Sequence, residues 1–290
     1  MYRTVEDYLD ALKQALEGTD SATLQDALTD AEEHLRTALE ANADDGLDTI
    51  IEAYGSPEET AAAYAEVERR TAPTLAGSAA KKERSGLGRF FAIYADARAW
   101  GALFYMLIAF VTGIIYFTWA VTGVSLSISL SVFIFGLPLA LLFILSVRGI
   151  AWLEGRLVEA LLGVRMPRRP LFSPQNIKWQ ERLKSLITDK HTWFSLLYMF
   201  LQFVLGTLYF VVLVTAFATA MVGFAIPVVQ EIFNEPTVTT LAGQYFLPVW
   251  SYPLIILASI LLWTATMHLV RAVGGLHGKY AKAMLVAEQD

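Results

Sequence analysis

The chain has 290 residues, 55% of them hydrophobic, and a mean hydropathy of +0.46, which is too apolar for a water-soluble protein of this length. It contains no cysteine, so disulfides, a thiol nucleophile and a Cys-ligated metal site are excluded. The net charge of −6 hides a division: residues 1–70 hold eighteen acidic and five basic side chains, or −13, which leaves +7 for the rest.

That acidic front argues against direct nucleic-acid binding, which needs cations to displace phosphate counterions. Two readings of the acidity stay open. It presents an acidic face to a basic partner, or it reflects a salt-adapted host, in keeping with lysine supplying only 8 of the 22 basic residues. The N-terminus is acidic and amphipathic rather than a basic stub before an apolar core, so no cleavable signal is expected.

In the front domain, residues 1–70, Thr4 starts a helix whose stripe is Val5, Tyr8, Leu9, Leu12 and Leu16. Gly18 breaks it. A longer helix follows, with Leu24, Leu28, Ala31, Leu35, Ala38 and Leu39 on one face. Residues 42–46 read as a turn, and a short third helix runs from Leu47 to Tyr54. Gly55-Ser56-Pro57-Glu58-Glu59 ends that helix and caps a fourth, which carries Ala61, Tyr64 and Ala65. Ser56 is therefore read as punctuation and not as a nucleophile. His34 has no second ligand at metal spacing and is read as a surface or core-edge residue.

Tyr8-Leu9-x-x-Leu12, Glu33-His34-Leu35 and Tyr54-Gly55-Ser56-Pro57-Glu58-Glu59 give residues 4–68 a pattern that resembles the HAAS signalling domain. The resemblance implies a small all-helical cytoplasmic module associated with membrane-linked signalling.

Residues 71–98 read as a structureless linker, then a basic juxtamembrane run. Lys81, Lys82, Arg84 and Arg89 are candidate contacts to anionic lipid headgroups, and Phe90, Phe91 and Tyr94 let the segment lie on the interface.

Residues 99–290 form a polytopic membrane domain with four expected spans, about 100–123, 127–150, 193–218 and 248–272. Two turns are expected outside, near Thr122–Ser127 and over residues 224–249; neither carries a Lys or Arg. The connection between the second and third spans, with its flanks, holds Arg148, Arg156, Arg165, Arg168, Arg169, Lys178, Arg182, Lys184 and Lys190. By the positive-inside rule both termini are expected to be cytoplasmic.

The domain is written twice. Residues 104–117, FYMLIAFVTGIIYF, and 197–210, LYMFLQFVLGTLYF, match at an offset of 93 residues in Tyr105/Tyr198, Met106/Met199, Phe110/Phe203, Val111/Val204, Gly113/Gly206, Tyr116/Tyr209 and Phe117/Phe210. The second arms repeat less closely, with Pro138 paralleling Pro253 and Leu153-Glu154-Gly155-Arg156 paralleling Leu276-His277-Gly278-Lys279. The repeats cover about 100–165 and 193–286. The trailing segments, with Leu153, Leu157 and Leu161 or Leu276, Tyr280 and Met284 in a stripe, are expected to be amphipathic helices lying on the cytoplasmic membrane surface.

Residues 103–117, Val121-Thr-Gly-Val-Ser-Leu, Gly136-Leu-Pro-Leu, Arg148-Gly-Ile-Ala-Trp-Leu-Glu, Leu161-Leu-Gly-Val-Arg-Met-Pro and Thr192-Trp193 resemble the sensor domain at the membrane end of many prokaryotic histidine kinases. The resemblance covers about 100–285 and implies signal input. No kinase domain follows in the sequence, which leaves the HAAS-like module as the expected output.

The spans show essentially no titratable group at their centres, which counts against a transporter or proton relay. Gln202 is the strongly polar group deep in a span, expected to make a helix-to-helix hydrogen bond. With Gly113, Gly206, Tyr116 and Tyr209 it forms the candidate set for packing, or for a groove between repeats that admits a lipid or hydrophobic effector. Ser125, Ser127 and Ser129 read as packing residues and His191 as a solvated loop residue. No catalytic residue, cofactor or metal site is expected.

The fold expected is all-α, a helical domain joined to a four-helix membrane domain of two repeated hairpins. The function expected is a non-enzymatic membrane sensor relaying a membrane or envelope signal to a cytoplasmic partner, a regulator or a kinase. Self-association is left open, and membrane lipids are the other expected contacts. A membrane scaffold and a small transporter or lipid-handling protein are the alternatives.

Overall fold

The computed structural model describes residues 2–41, 46–76, 86–130, 133, 136–168, 179–241 and 243–286. It is almost wholly helical, and four of its helices are long and apolar enough to cross a membrane. Lys81, Lys82 and Arg84 lie outside the described residues, as does the side chain of Arg89.

Four helices, α1 (Val5–Ala15), α2 (Ser21–Ala41), α3 (Leu47–Tyr54) and α4 (Pro57–Ala76), build the front domain. Their stripes meet in one core of Val5, Tyr8, Leu12, Leu16, Leu28, Leu35, Ile50, Ile51 and Ala61. Both ends predicted from capping chemistry form. The Asp7 N–H donates to Thr4 Oγ1 at 3.1 Å, and the Thr4 N–H donates back to the Asp7 carboxylate at 3.1 Å. At the start of α4 the Glu59 N–H donates to Ser56 Oγ at 3.2 Å and the Ser56 N–H to Glu59 Oε2 at 2.9 Å. Gly55, at φ +113°, takes a backbone conformation closed to L side chains, and its carbonyl accepts the fully buried Tyr8 hydroxyl at 2.9 Å. Burial pushes the Tyr8 phenol above its ordinary pKa. His34 stacks on Tyr54 at 4.5 Å, at the edge of this core.

The linker departs from its expected form. Helix α4 runs on to Ala76, and α5 (Gly86–Phe91) and a 3-10 turn (Ala92–Ala95) lead into the membrane domain.

The four spanning helices are α6 (Ala97–Leu130), α7 (Gly136–Leu162), α9 (Lys190–Phe233) and α10 (Tyr252–Leu285), with α8 (Trp179–Thr188) short and before α9. All exceed the roughly 20 residues that cross a bilayer; α9, at 44 residues, is about 66 Å long. The expected turn at Thr122–Ser127 is helical, since α6 continues to Leu130, and α9 continues through Pro227 to Phe233. Nothing in either stretch forces a stop. Ser and Gly break helices in water, but in an apolar medium the backbone has no other hydrogen-bond partners. Beyond α9 the connection holds a small antiparallel hairpin, β1 (Val238–Thr240) with β2 (Gly243–Tyr245).

The trailing segments are not separate surface helices. Residues 153–162 and 276–285 are the last turns of α7 and α10. Only the first residue of each expected stripe faces outward, Leu153 49% and Leu276 66% exposed, whereas Leu157, Leu161, Tyr280 and Met284 pack partly buried against the core; the next residues, Glu154 and His277, are 1% and 2% exposed. Burying an apolar stripe gains nothing where the surroundings are equally apolar, whereas polar groups gain partners by turning inward.

The front domain rests on the end of the bundle at which α6 and α9 begin and α7 and α10 end, the proximal end. Gly163, at φ +68°, terminates α7, and the extended segment after it delivers Arg165 and Arg168 to the front domain. The Arg168 N–H donates to Asp26 Oδ1 at 2.6 Å, and Arg165 pairs with Asp26 at 3.6 Å. Lys282, near the end of α10, pairs with Asp20. Thr23, Gln25, Asp26 and Thr29 of α2 are all buried, although they are polar.

Candidate functional site

The crossing of α6 and α9 follows the repeat. A Cβ on Gly113 would stand 2.8 Å from the Gln202 carbonyl oxygen and 2.9 Å from Phe203 Cα. One on Gly206 would stand 2.2 Å from the Ala109 carbonyl oxygen and 3.0 Å from Phe110 Cα. Ala109 and Phe110 correspond to Gln202 and Phe203, so the two contacts are images of each other. Both glycines are needed for backbone to touch backbone. Around them Phe110 stacks on Phe210 at 4.3 Å, and Phe203 on Phe117 at 4.8 Å, again an equivalent pair. Trp100 Nε1 donates to the Tyr94 carbonyl and Trp193 Nε1 to the Ile187 carbonyl, at 2.9 and 2.8 Å. The two halves are thus related by a pseudo-twofold axis through the α6–α9 crossing.

Buried polar groups converge near that axis, toward the proximal end. Tyr105 and Tyr198 each stand eight residues after their helix begins; Glu154 and His277 each stand eight before theirs ends. This depth is about 12 Å from the proximal helix ends. Glu154 Oε1 accepts the Tyr105 hydroxyl at 2.5 Å and the Tyr198 hydroxyl at 2.9 Å, and Oε2 accepts the Tyr116 hydroxyl at 2.9 Å. His277 Nε2 lies 2.7 Å from the Tyr105 oxygen and 3.2 Å from the Tyr198 oxygen; Nδ1 lies 2.9 Å from the Tyr209 hydroxyl. Gln202 Nε2 donates to the Tyr105 oxygen at 3.2 Å.

The symmetry extends to this chemistry. Tyr105 and Tyr198 touch both ionisable groups, while Tyr116 serves Glu154 as Tyr209 serves His277. The equivalent positions 154 and 277 hold an acid in one half and an imidazole in the other. Tyr116 and Tyr209, eleven residues further into their helices than Tyr105 and Tyr198, reach back to this centre because side chains lean toward the helix N-terminus, which is proximal for α6 and α9. Among the described residues no Lys or Arg pairs with Glu154.

Of the candidate residues read from sequence, Gln202, Tyr116 and Tyr209 join this network directly, and Gly113 and Gly206 hold the crossing beside it. The expectation concerned the centres of the expected spans, and α7 and α10 run past those limits: Glu154 and His277, just beyond them, are buried in the bundle. They escaped notice because they lie beyond the expected span limits and one position off the apolar stripe. The usable signal was their place in the repeat. His191 is corrected. It lies in α9, part-buried, with Nε2 2.8 Å from the Leu285 carbonyl oxygen. Asp189 caps α9 at His191 N and pairs with Arg148.

An apolar groove of about 240 Å³ lies between α9 and α10 of the second repeat, lined by Tyr209, Leu213, Val270 and Val273 with Met106 of α6 as its one residue from the first repeat. Tyr209 therefore borders the groove and contacts His277. A second groove of about 200 Å³, nearer the distal end, is lined by Trp119, Gly123, Ser127, Phe143 and Ser146, with Trp119 Nε1 donating to Ser146 Oγ at 2.8 Å. Among the described residues no group of three or more His, Asp or Glu is placed to hold a metal ion.

Two family models match the sequence. HAAS matches residues 7–63, and Sensor, described as "Putative sensor", matches residues 105–285. No curated protein and no solved structure matches. The Sensor match spans both repeats and every residue of the buried centre, well over half of the chain. The chain belongs to the Sensor family and carries a HAAS domain in front of its membrane domain.

Proposed function

We propose that the protein is a non-enzymatic sensor in the cell membrane, passing a membrane or envelope signal through its front domain to a cytoplasmic protein partner. Both termini face the cytoplasm on this reading, in keeping with the cations at the proximal end and the positive-inside rule. The observation that carries the proposal is the grip of Arg165 and Arg168 on Asp26. Those arginines follow directly on α7, the helix that bears Glu154, so a shift of α7 within the bundle acts on the HAAS domain without an intermediary. Part of the front domain's acidity is thereby used on the chain's own cations.

Ion pairs suit such a contact. Their desolvation cost offsets most of their attraction, so docked and undocked states lie close in free energy. A small change in helix packing then shifts the population. The test compares capture of cytoplasmic proteins by the full chain and by Asp26→Arg, in native membranes with and without envelope stress. The expected result is stress-dependent capture of one partner by the wild type and stress-independent capture by the variant. Identical capture in all four conditions would make the membrane domain a mere anchor.

A further inference from the structure

We infer that the centre between Glu154 and His277 is a binding site for a single proton, taken up at His277 Nδ1. The inference rests on the sensor reading and deepens it by naming the stimulus.

An ionised carboxylate only accepts, and each phenol has one hydrogen to give. Tyr105 and Tyr198 give theirs to Glu154 Oε1, and Tyr116 gives its own to Oε2. The Tyr105 and Tyr198 oxygens then offer only lone pairs to His277 Nε2, so Nε2 must carry a hydrogen. Nδ1 is left as the acceptor of the Tyr209 hydroxyl. In this arrangement every contact to Glu154 and His277 has one donor and one acceptor, and the Tyr105 and Tyr198 oxygens, 3.2 Å apart, face each other with no hydrogen between them. With Glu154 ionised and the imidazole neutral, the centre holds one net negative charge, and among the described residues no Lys or Arg stands beside it.

An uncompensated charge in a low-dielectric interior is costly, and one added proton removes it. On Nδ1 the proton leaves all three phenol bonds to Glu154 in place. It creates an imidazolium joined to the carboxylate through the Tyr105 oxygen. Tyr209 alone must change, turning its hydrogen away and accepting from Nδ1 instead. The groups facing His277 are Tyr105 of α6, Glu154 of α7, Tyr198 and Tyr209 of α9, and Tyr280 of its own helix, whose ring centre lies 5.5 Å away. Tyr116 and Gln202 complete the shell around Glu154.

Uptake strengthens the attraction between α7 and α10, and each of these helices leads to a cation that holds the front domain. Arg165 follows α7 and pairs with Asp26; Lys282 lies five residues after His277 and pairs with Asp20.

The experiment uses the full chain in phosphatidylcholine nanodiscs, with ¹⁵N-labelled histidine and His277→Gln to assign the signal. Nitrogen shifts are followed from about pH 8 to about pH 4, the range in which imidazoles titrate. At high pH the hydrogen is expected on Nε2 alone, followed by one protonation step. In Glu154→Gln the midpoint should fall by at least about tenfold in proton affinity, because the anion facing the imidazolium is gone. Should that variant not fold, infrared spectra of the wild type decide instead: the carboxylate band persists while the imidazolium forms. A hydrogen on Nδ1 at high pH, no imidazolium while the other histidines titrate, or a carboxylic-acid band in its place would overturn the inference. The predicted titration together with stress-independent partner capture would leave the proton site standing and remove the sensor reading.

Discussion

Two glycines carry more of the membrane domain than any of its large side chains. Gly206 and Gly113 let α6 and α9 touch along their backbones, and every residue of the buried centre depends on that closeness. Gly206→Ala would drive a methyl into the Ala109 carbonyl, where no side chain can move aside. Overpacking of this kind costs about 1–3 kcal/mol. Gly113→Ala, with a longer approach, should cost less. The double variant should lose less than the sum, since the first methyl already separates the helices. Thermal unfolding of the four proteins in one detergent measures all three effects; equal stabilities would show that the close approach at the glycines does not hold α6 against α9. These glycines stand out in the sequence because they recur 93 residues apart. Glu154 and His277 do not stand out, because their partners come from helices about 40 to 170 residues away in the chain.

Two surfaces of the front domain respond to charge, each on its own element. On α1, a backbone hydrogen bond at the helix start and the Arg36 side chain at 2.8 Å together hold the Glu6 carboxyl below its ordinary pKa. A carboxyl lowered in the folded state adds stability above its unfolded value and loses it as the pH falls through the folded one. Acidification through the carboxylate range should therefore speed amide exchange in α1, and Glu6→Gln should lack that part of the response. An identical profile in the variant would show that Glu6 adds nothing. On α2, Thr23, Asp26 and Thr29 are buried, and Asp26 meets Arg165 and Arg168 of the membrane domain. Asp26→Arg should raise amide exchange at Thr23 and Asp26 at least about tenfold, the effect of losing about 1.4 kcal/mol of protection, while Leu28, Ala31 and Leu35 on the core face stay slow. Unchanged exchange along α2 would mean that the docked contact does not persist in solution.

Across the whole molecule, duplication produced a centre that neither half could form alone. One hairpin supplies Tyr105, Tyr116 and Glu154, the other Tyr198, Tyr209 and His277, and the shared atoms lie near the axis between them. Divergence at a single equivalent position, acid in one copy and imidazole in the other, converts a symmetric crossing into one with a charge to settle. The Ala109 and Gln202 pair breaks the symmetry a second time, placing an amide on one side only. The same bundle end that holds this centre also holds the front domain, so input and output of the proposed sensor share helices α7 and α10.

The sequence by itself determined the composition class, the four apolar helices, the duplication and the capped helices of the front domain. All of these follow from local chemistry: run length, periodicity, and the backbone demands of Thr4, Gly55, Ser56 and Pro57. Only the tertiary structure decided which face of α7 and α10 turns inward, and there the apolar stripe misled. In water the Leu153 and Leu276 side would be buried; between lipid-facing helices the polar residue one position on gains more, because only the interior offers it hydrogen bonds. The docking of Asp20 and Asp26 was beyond the sequence for a related reason. An acidic surface specifies that a donor will be welcome, and the fold determines that the donors are the cations of Arg165 and Lys282 and the backbone N–H of Arg168 in the same chain.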